Sequence, residues 1–323
     1  MSAAAQTLSV RVASRRHEAQ GICSFELVDV AGGVLPAFSA GAHIDVHLPG
    51  GMVRPYSLFN SPRERGRYMI CVLDEPASRG GSRAMHEQVA EGGLLRIGAP
   101  RNLFALVPEA PHSLLVAGGI GITPILSMAE QLAAAGASFD LHYAVRSRGR
   151  AALLPRIEAS AFGERLQLHC DDGPEAQRLD IARLLADAPA GTHLYFCGPA
   201  GFMQAVRDAA EAQGWPAQRV HSESFSPVVA GGDADAPFEI VLARSGRAVT
   251  VARDCSATQA LAAAGIEVPT SCEQGVCGTC LVRVLEGTPD HRDLYLTPAE
   301  QARNDQFTPC CSRALTSRLV LDL

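Results

Sequence analysis

The sequence predicts a multidomain protein with an antiparallel, β-rich N-terminal region, a central α/β region with a parallel sheet, and a small β-rich C-terminal domain. Three observations predict this fold class. Alternating residues surround "RPYS" (54–57), an apolar strand passes through glycines into a helix at 113–136, and three of the ten cysteines lie within "CEQGVCGTC" (272–280). A chain of 323 residues is long enough for two or three domains, each with its own core.

Composition excludes some classes of function. The net charge is -6, and the sequence has no basic run interleaved with aromatic residues, which argues against DNA or RNA as a partner. The first residues lack an apolar signal segment, and no window reaches eighteen consecutive apolar residues. We therefore expect no membrane segment and a cytoplasmic location, where clustered cysteines bind metal more often than they form disulfides.

The N-terminal motif "RPYS" follows the alternating run "AHIDVHLP", which places it on or just after a strand. A flavin needs an aromatic wall, a hydroxyl near its N5 atom and a cation near its phosphate. Tyr56, Ser57 and Arg54 supply these groups. Taken alone, the four residues fit a core aromatic beside a solvated charge equally well.

A second motif, "SRGGS" (78–82), favours the flavin interpretation. The consecutive glycines Gly80 and Gly81 expose backbone N–H groups, while Arg79 and Ser82 add a charge and a hydroxyl. The helix predicted over "SRAMHEQV" would direct its N-terminus at the same place. The sequence therefore predicts a phosphate site in this turn.

The central segment "SLLVAGGIGITPILSMAEQLAAAG" (113–136) has the strand, glycine turn and helix of a dinucleotide-binding unit. Pro124 occupies the third glycine position of G-x-G-x-x-G, so the ordinary fingerprint is absent. Further strands are predicted at "LHYAVRS" and "HLYFCGPAGFM", the second of which ends in Cys197 and Gly198. Cys197 is either a buried strand-end thiol or part of a ligand site at the carboxyl edge of the sheet.

Arginines after the second strand bear on the choice of nucleotide. Arg146, Arg148 and Arg150 could surround a 2'-phosphate, and no acidic residue stands ready for a ribose diol. On residues alone, this pattern mildly favours NADPH.

The C-terminal cysteines Cys272, Cys277 and Cys280 have the C-x4-C-x2-C spacing of plant-type 2Fe-2S ferredoxins. Gly275 and Gly278 suit a tight loop that directs backbone N–H groups at sulfides. A fourth ligand is available about thirty residues later in "TPCCSRA", as Cys310 or Cys311. The alternatives are ordinary buried thiols or a zinc knot. The Gly, Pro and acidic residues of "SPVVAGGDADAP" (226–237) indicate a flexible tether before this domain.

Taken together, these motifs resemble the phthalate dioxygenase reductase family, the reductase components of Rieske oxygenases, over essentially the whole chain. "RPYS", the G-G-x-G-x-T-P turn, C-G-P, "SCEQGVCGTC", "GTPDHRD" and "CSRA" carry the resemblance. It implies an antiparallel β-barrel flavin domain (1–107), an α/β NAD-binding domain with a parallel sheet (108–225), a linker (226–237) and a β-grasp ferredoxin domain (238–323).

The resemblance also implies roles for individual residues. The FMN site would comprise Arg54, Tyr56, Ser57, Arg79, Gly80, Gly81 and Ser82. The NADH pyrophosphate would lie at Gly119, Gly121, Ile122 and Thr123, and the nicotinamide at Cys197 and Gly198, with Phe225 over the flavin. Ser57, Cys197 and Phe225 would be the catalytic positions, and Cys272, Cys277, Cys280 and Cys310 the cluster ligands. Glu223 is a weaker candidate for the flavin neighbourhood.

The implied function is electron transfer. NADH supplies two electrons at once as hydride, whereas a 2Fe-2S cluster accepts one, so FMN is expected between them. We expect a monomer whose partner is a Rieske-type oxygenase acting on an aromatic substrate. Two alternatives stay open: a stand-alone NAD(P)H-dependent ferredoxin-type reductase, and a redox-sensing iron-sulfur flavoprotein without turnover.

Overall fold

The architecture is taken from a computed structural model, which describes residues 7–49, 52–75, 80–225, 235–270, 273, 275, 278–293 and 295–323. The chain divides into two units, Met1–Phe225 and Ser226–Leu323. No described helix is both long enough and apolar enough to cross a membrane.

The first unit begins with an antiparallel sheet, as the alternating sequence predicts. Its strands are β1 (Thr7–Ala19), β2 (Ile22–Asp29), β3 (His43–His47), β4 (Val53–Ser57), β5 (Tyr68–Leu73) and β6 (Leu94–Gly98), in the order β4-β3-β6-β1-β2-β5. Helix α1 (Gly81–Gln88) lies between β5 and β6 in sequence. The edge strands meet just beyond β4, where Leu58 bridges Ile70 and the Phe59 N–H donates to the Met69 carbonyl at 3.0 Å.

A parallel sheet follows, confirming the predicted α/β region. Its strands are β7 (Ser113–Gly118), β8 (Phe139–Val145), β9 (Leu166–Cys170), β10 (His193–Gly198) and β11 (Val220–Ser224), in the order β11-β10-β7-β8-β9. The helices are α2 (Ile122–Ala134), α3 (Leu154–Glu158), α4 (Ile181–Ala186) and α5 (Ala200–Ala212). The strand order reverses between β7 and β10, and ligands of such sheets bind beyond the carboxyl ends at that point.

The two sheets of the first unit share a core. Buried residues of the antiparallel sheet region, such as Ile22, Phe59 and Cys71, belong to the same cluster as Tyr143 and Ile125 of the α/β part. A second cluster lies inside the antiparallel sheet, around Phe25 and Ile44. Because the shared cluster fixes the two parts against each other, residues from both can build one site.

The second unit is a mixed sheet with a helix across it, consistent with a β-grasp fold. Its main strands are β12 (Phe238–Leu242), β13 (Ala248–Val251), β14 (Val282–Glu286), β16 (Gln306–Phe307) and β18 (Arg318–Leu321), in the order β13-β12-β18-β14-β16. Strands β15 (Pro289–Asp290) and β17 (Arg313–Ala314) form a separate short pair. The helices are α6 (Ala257–Ala263) and α7 (Pro298–Gln301).

Two local features of this unit follow directly from residue type. Ser256 accepts a hydrogen bond from the Gln259 N–H at the start of α6, and the Gln259 side chain accepts one from the Ser256 N–H. This is a complete capping box. Gly246 adopts a φ of 68° in the turn of the β12–β13 hairpin, a left-handed conformation that glycine adopts without strain.

Asp235, the first described residue of the second unit, is buried between two arginines. Its carboxylate accepts a bidentate hydrogen bond from Arg292 and lies 3.7 Å from Nε of Arg313. Arg313 is 2% exposed and also donates to the carbonyls of Cys255, Ala236 and Ala252. This carboxylate therefore ties the end of the predicted tether to the segment that follows the last cysteines.

Replacing Asp235 with alanine is expected to destabilise the second unit by about 3–5 kcal/mol, because the change removes the carboxylate beside the buried Arg313 guanidinium and leaves Arg292 paired with Asp290 alone. Denaturant unfolding of the full chain, followed by far-ultraviolet circular dichroism, measures the effect. The exposed Asp254→Ala is the matched control and should stay within about 0.5 kcal/mol of wild type. Equal midpoints for the two variants would contradict this account.

Candidate functional site

Strand pairing brings Ser57 to the centre of the first unit. His43 and Ser57 are register partners on β3 and β4, so their side chains share one face of the sheet. From the parallel sheet, Glu223 on β11 reaches the same place: Ser57 Oγ donates to Glu223 Oε2 at 3.1 Å, and His43 Nδ1 lies 3.9 Å from Glu223 Oε1. The hydroxyl predicted for flavin N5 therefore contacts a carboxyl group of the parallel sheet.

Burial also changes the acidity of the Glu223 carboxyl group. It raises the pKa of Glu223 to about 7, although the hydrogen bond from Ser57 opposes the shift. Burial and then the Arg101 charge lower the pKa of His43 to about 4, while Asp45 acts in the opposite direction. Within the described part of the chain, His43 Nε2 has no hydrogen-bond partner. Of these two groups, Glu223 is therefore the one whose pKa lies near neutral pH.

The predicted phosphate site is partly assembled. A Cβ on Gly81 would lie 2.7 Å from Cγ and 2.9 Å from Nε of Arg54, so the Arg54 side chain lies against the first turn of α1. Gly80 precedes that helix with a φ of 87°. The Glu75 N–H donates to the hydroxyl of Ser82 at 3.2 Å, which ties the helix to the end of β5. Arg79 lies outside the described residues.

Tyr56, the predicted aromatic wall, lies on β4 beside Ser57. Its side chain packs against the core of the antiparallel sheet, and burial raises its pKa, with Arg54 opposing. The phenol therefore stays neutral and presents an apolar ring. Its contact with a flavin stays a prediction.

Glycines let the loops after β7 and β10 approach each other. A Cβ on Gly121 would lie 2.2 Å from the Cys197 carbonyl oxygen and 2.7 Å from the Gly198 nitrogen. A Cβ on Gly198 would lie 3.0 Å from Cα of Gly118 and 2.6 Å from Cδ1 of Phe202. The G-G-x-G turn and the C-G-P turn, separate in sequence, therefore form one backbone surface at the switch point of the sheet.

The residues predicted to contact the pyrophosphate differ in how accessible they are. Gly119 has a φ of 53° and open space beside it. The side chains of Ile122 and Thr123 are buried, the Ile122 N–H donates to the Gly119 carbonyl, and the Thr123 hydroxyl donates to the Ile120 carbonyl at 3.1 Å. The side chains thus hold the turn, and any contact of these residues with phosphate stays a prediction.

Replacing Gly121 with alanine is expected to lower kcat/KM for NADH by at least tenfold, because the added methyl group would force the turn away from the Cys197 carbonyl. Steady-state NADH oxidation with an artificial acceptor measures it. Gly201→Ala, at the start of α5 with open space around it, is the matched control and should behave as wild type. A Gly121→Ala enzyme with unchanged KM and kcat would show that the close approach has no bearing on the nucleotide site.

Cys197 lies beside Glu223 in the parallel sheet, and Phe225 follows two residues after Glu223. Cys197 is fully buried and is the register partner of Glu223 on the adjacent parallel strand. Burial raises the pKa of its thiol well above the usual range, and the nearby Glu223 adds to the shift. A neutral, buried thiol can position a ligand but is a poor nucleophile. Phe225, directly after β11, is partly buried against the shared core.

The arginines after β8 are not equally available. Arg148 forms an ion pair with Glu158, with Nη2 and Oε1 2.7 Å apart. Arg146 is exposed and Arg150 half-buried. All three arginines are at least partly exposed, so their preference for a 2'-phosphate stays a prediction.

In the second unit, Cys280, Cys310 and Cys311 form a buried cluster of thiols. The Cys310 thiol faces Cys280 and Cys311; hydrogen bonds with these two, together with burial, raise its pKa. Cys311 also contacts Thr308, with Sγ of Cys311 3.5 Å from Oγ1 of Thr308. The structure thus brings Cys280 and Cys310 together, while Cys272 and Cys277 lie outside the described residues.

The loop glycines fit a closely packed cluster loop. A Cβ on Gly275 would lie 2.4 Å from Cys311 Sγ, and one on Gly278 would lie 2.3 Å from Cζ of Tyr295. Both residues have positive φ angles, 73° and 67°. The donor set of converging thiols on a glycine-rich loop fits an iron-sulfur cluster, and the buried hydroxyl–carboxyl pair beside a glycine cradle fits a flavin and its nucleotide donor.

Sequence reasoning ranked Glu223 low and did not find His43. Both become evident only when the hairpin β3–β4 is placed against β11. The pairing of His43 with Ser57 could have been predicted from the sequence, because "AHIDVHLP" and "RPYS" are only a few residues apart and suit a hairpin. The Ser57–Glu223 contact joins positions 166 residues apart and has no local signal.

Comparisons with known proteins find matches for two segments of the chain. A model described as the 2Fe-2S iron-sulfur cluster binding domain matches residues 240–315. A second model, described as the N-terminal domain of dimethylamine monooxygenase subunit DmmA-like proteins, matches residues 99–220. The first match covers the cysteine motif, and the second covers strands β7 to β10 of the parallel sheet.

Full-length relatives are also found. The chain is 57% identical over 313 residues to a vanillate O-demethylase oxidoreductase of Pseudomonas putida, covering 97% of this chain and 98% of the relative. It is 51% identical to another protein of that description from a Pseudomonas strain, covering 98% and 100%. It is 45% identical to a tetrachlorobenzoquinone reductase of Sphingobium chlorophenolicum, covering 98% of both.

Solved structures give the same result. Phthalate dioxygenase reductase, described as a modular structure for electron transfer from pyridine nucleotides to 2Fe-2S, matches with a TM-score of 0.74 and 38% identity over 98% of both chains. An intact type IV self-sufficient cytochrome P450 monooxygenase matches with a TM-score of 0.81 and 41% identity. This chain spans 41% of that larger protein.

Proposed function

Because the chain belongs to the phthalate dioxygenase reductase family of oxidoreductases, we propose that it is the reductase component of a two-component Rieske-type oxygenase. In this function it takes electrons from NADH and passes them through FMN to its 2Fe-2S cluster and on to the oxygenase. The observation that carries the proposal is the contact between Ser57 and Glu223, which joins the predicted flavin strand to the nucleotide-binding sheet.

The chemistry explains why one chain contains these parts. A bound flavin accepts a hydride, which is two electrons with one proton, and can release the electrons singly to a one-electron centre. The chain's own residues position the nicotinamide on the backbone surface at Gly121 and Cys197, and hold the accompanying proton at Ser57 and Glu223. Cys272, Cys277, Cys280 and Cys310 would hold the cluster.

The proposed flavin is FMN, bound through a single phosphate. In support, Arg54 lies against the first turn of α1, where backbone N–H groups and the left-handed Gly80 suit one anion. The predicted roles of Tyr56, Gly81 and Ser82 belong to the same proposal, as does the placement of Phe225 over the flavin. We retain the division into 1–107, 108–225, a tether at 226–237 and 238–323.

The proposed partner is an oxygenase that removes a methyl group from a methoxy-substituted aromatic acid. Relatives with 57% and 51% identity are both described as vanillate O-demethylase oxidoreductases, which supports this class of reaction. We propose that the chain acts as a cytoplasmic monomer without nucleic acid as a partner; gel filtration tests the oligomeric state.

Anaerobic titration of the purified protein with NADH tests the electron path, with NADPH as the control and flavin identified after acid release. Bleaching of flavin and iron-sulfur bands by about three electrons per chain, with FMN recovered, is expected. Bleaching of the flavin alone would overturn the cluster assignment or its electron supply. A complete lack of bleaching would leave only the redox-sensing alternative.

Addition of the oxygenase tests the partner. Oxidation of an aromatic methoxy acid is expected only when NADH, this protein and the oxygenase are all present. One relative at 45% identity is described as a tetrachlorobenzoquinone reductase, which favours a stand-alone quinone reductase as the second candidate. Rapid quinone reduction without any oxygenase, combined with no transfer to one, would favour that candidate.

A further inference from the structure

The motif "GTPDHRD" (287–293) is not yet explained by the electron path. After β15 its side chains alternate between opposite sides. Arg292 pairs with Asp290 and Asp235, at the end of the tether. His291 and Asp293 point the other way, with His291 Nδ1 3.5 Å from Asp293 Oδ1. The second side faces the cysteine segments.

Asp293 is a buried carboxylate with both oxygens engaged. Its side chain is 0% exposed. Oδ2 accepts from the Leu296 N–H at 2.8 Å, and Oδ1 accepts from the Ser312 hydroxyl at 3.3 Å. Two acceptor roles suit the ionised form, since a protonated carboxyl would offer a donor on one oxygen. A negative charge in this place is poorly screened by water.

Asp293 contacts both segments that carry the predicted ligands, the loop through its Cα and Cβ and the Cys310 segment through its carboxylate. A Cβ on Gly275, between Cys272 and Cys277, would lie 2.9 Å from Cα and 3.0 Å from Cβ of Asp293. Ser312, its hydrogen-bond donor, stands two residues after Cys310 and also pairs with Thr308 at 2.8 Å between hydroxyl oxygens. Asp293 is therefore the residue against which the loop and the Cys310 segment meet.

We propose that Asp293 is a positioning residue for the 2Fe-2S cluster, which fixes the ligand loop against the Cys310 segment and lowers the reduction potential of the cluster. The inference rests on the proposed function for the presence of the cluster. Charge and hydrogen bonding around the sulfurs are what set such potentials, and a fixed negative charge favours the oxidised form. A low potential drives electrons outward to the oxygenase.

The isosteric Asp293→Asn tests the charge in the full-length protein. Its cluster potential, measured by mediated spectroelectrochemical titration, is expected to rise, and the EPR g-values of the reduced cluster are expected to shift. Asp290→Asn is the matched control: it is the same change in the same motif, on the side facing Arg292, and it should leave the potential and g-values at wild-type values. Asp293→Glu keeps the charge, so its cluster should have a reduction potential close to that of wild type.

A fully iron-loaded Asp293→Asn protein with wild-type potential and g-values would overturn the inference. If that variant fails to retain iron, Ser312→Ala replaces it, because it removes one hydrogen bond to Asp293 and keeps the charge. Iron release to a chelator is then expected to be several-fold faster than in wild type, and an unchanged rate would overturn the positioning role. Absence of a 2Fe-2S spectrum in the wild-type protein would instead overturn the proposed function.

Discussion

Replacing Cys310 with serine is expected to remove the 2Fe-2S absorbance and EPR signal and to lower NADH-dependent cytochrome c reduction by more than about 100-fold. Loss of an outer partner of a metal site typically costs about 10–100-fold, so loss of a ligand should cost more. Cys310 is 6% exposed, and its thiol faces Cys280. Reduction of the flavin by NADH should persist, because Ser57, Glu223 and the glycine turns belong to the other unit.

The adjacent Cys311→Ser is the matched control. Cys311 is 1% exposed and packs beneath Gly275, with Thr308 and Ser312 beside its sulfur. We expect it to retain the cluster, with at most a modest change in stability. Iron content, EPR and cytochrome c reduction of the two variants decide between the cysteines. A cluster that survives in Cys310→Ser and is lost in Cys311→Ser would reverse the assignment.

Much of the fold was predictable because its signals are local. The hairpin at Gly246, the cap at Ser256 and the strand-to-helix turn at Gly119 each depend on residues within a few positions of one another. The same holds for the cysteine spacing, which defines one loop. Local signals do not decide whether Cys310 or Cys311 is the fourth ligand. Both are cysteines and both are buried, so the decision depends on contacts with distant segments.

Contacts between distant segments were beyond the sequence. The predicted tether (226–237) has the composition of a flexible linker, yet its last acidic residue, Asp235, is buried against Arg292 and Arg313 from far along the chain. The composition of a segment predicts how exposed its residues are on average. Whether one acidic residue is buried in an ion pair depends instead on where its partners lie in the fold. Glu223 was underrated for the same reason, since its chemistry comes from its burial beside Ser57.

The Glu223→Gln variant tests that chemistry, and we expect its turnover with the oxygenase to fall by about 10²-fold or more. Each hydride brings one proton that must leave as the electrons depart singly. Ionised Glu223 can accept it through the Ser57 hydroxyl, 3.1 Å away. Because burial raises the pKa of Glu223 to about 7, wild-type turnover should increase as the pH rises through that value. The glutamine variant should be slow, without this step in its pH profile.

Stability gives an independent check with a defined sign. The folded-state pKa of Glu223 lies above its ordinary value of 4.5. The contribution of this group to the free energy of unfolding is therefore fully present below pH 4.5 and is lost as the pH rises to about 7. The wild type has no such advantage above pH 7. Between pH 4.5 and pH 7 the free energy of unfolding of wild type, measured relative to that of Glu223→Gln, should therefore fall by about 3 kcal/mol. The exposed Glu211→Gln should show neither effect. If Glu223→Gln keeps both the wild-type pH step in turnover and the wild-type stability profile, the proton travels by another group, and His43 is the next to replace because its ring faces the same carboxyl.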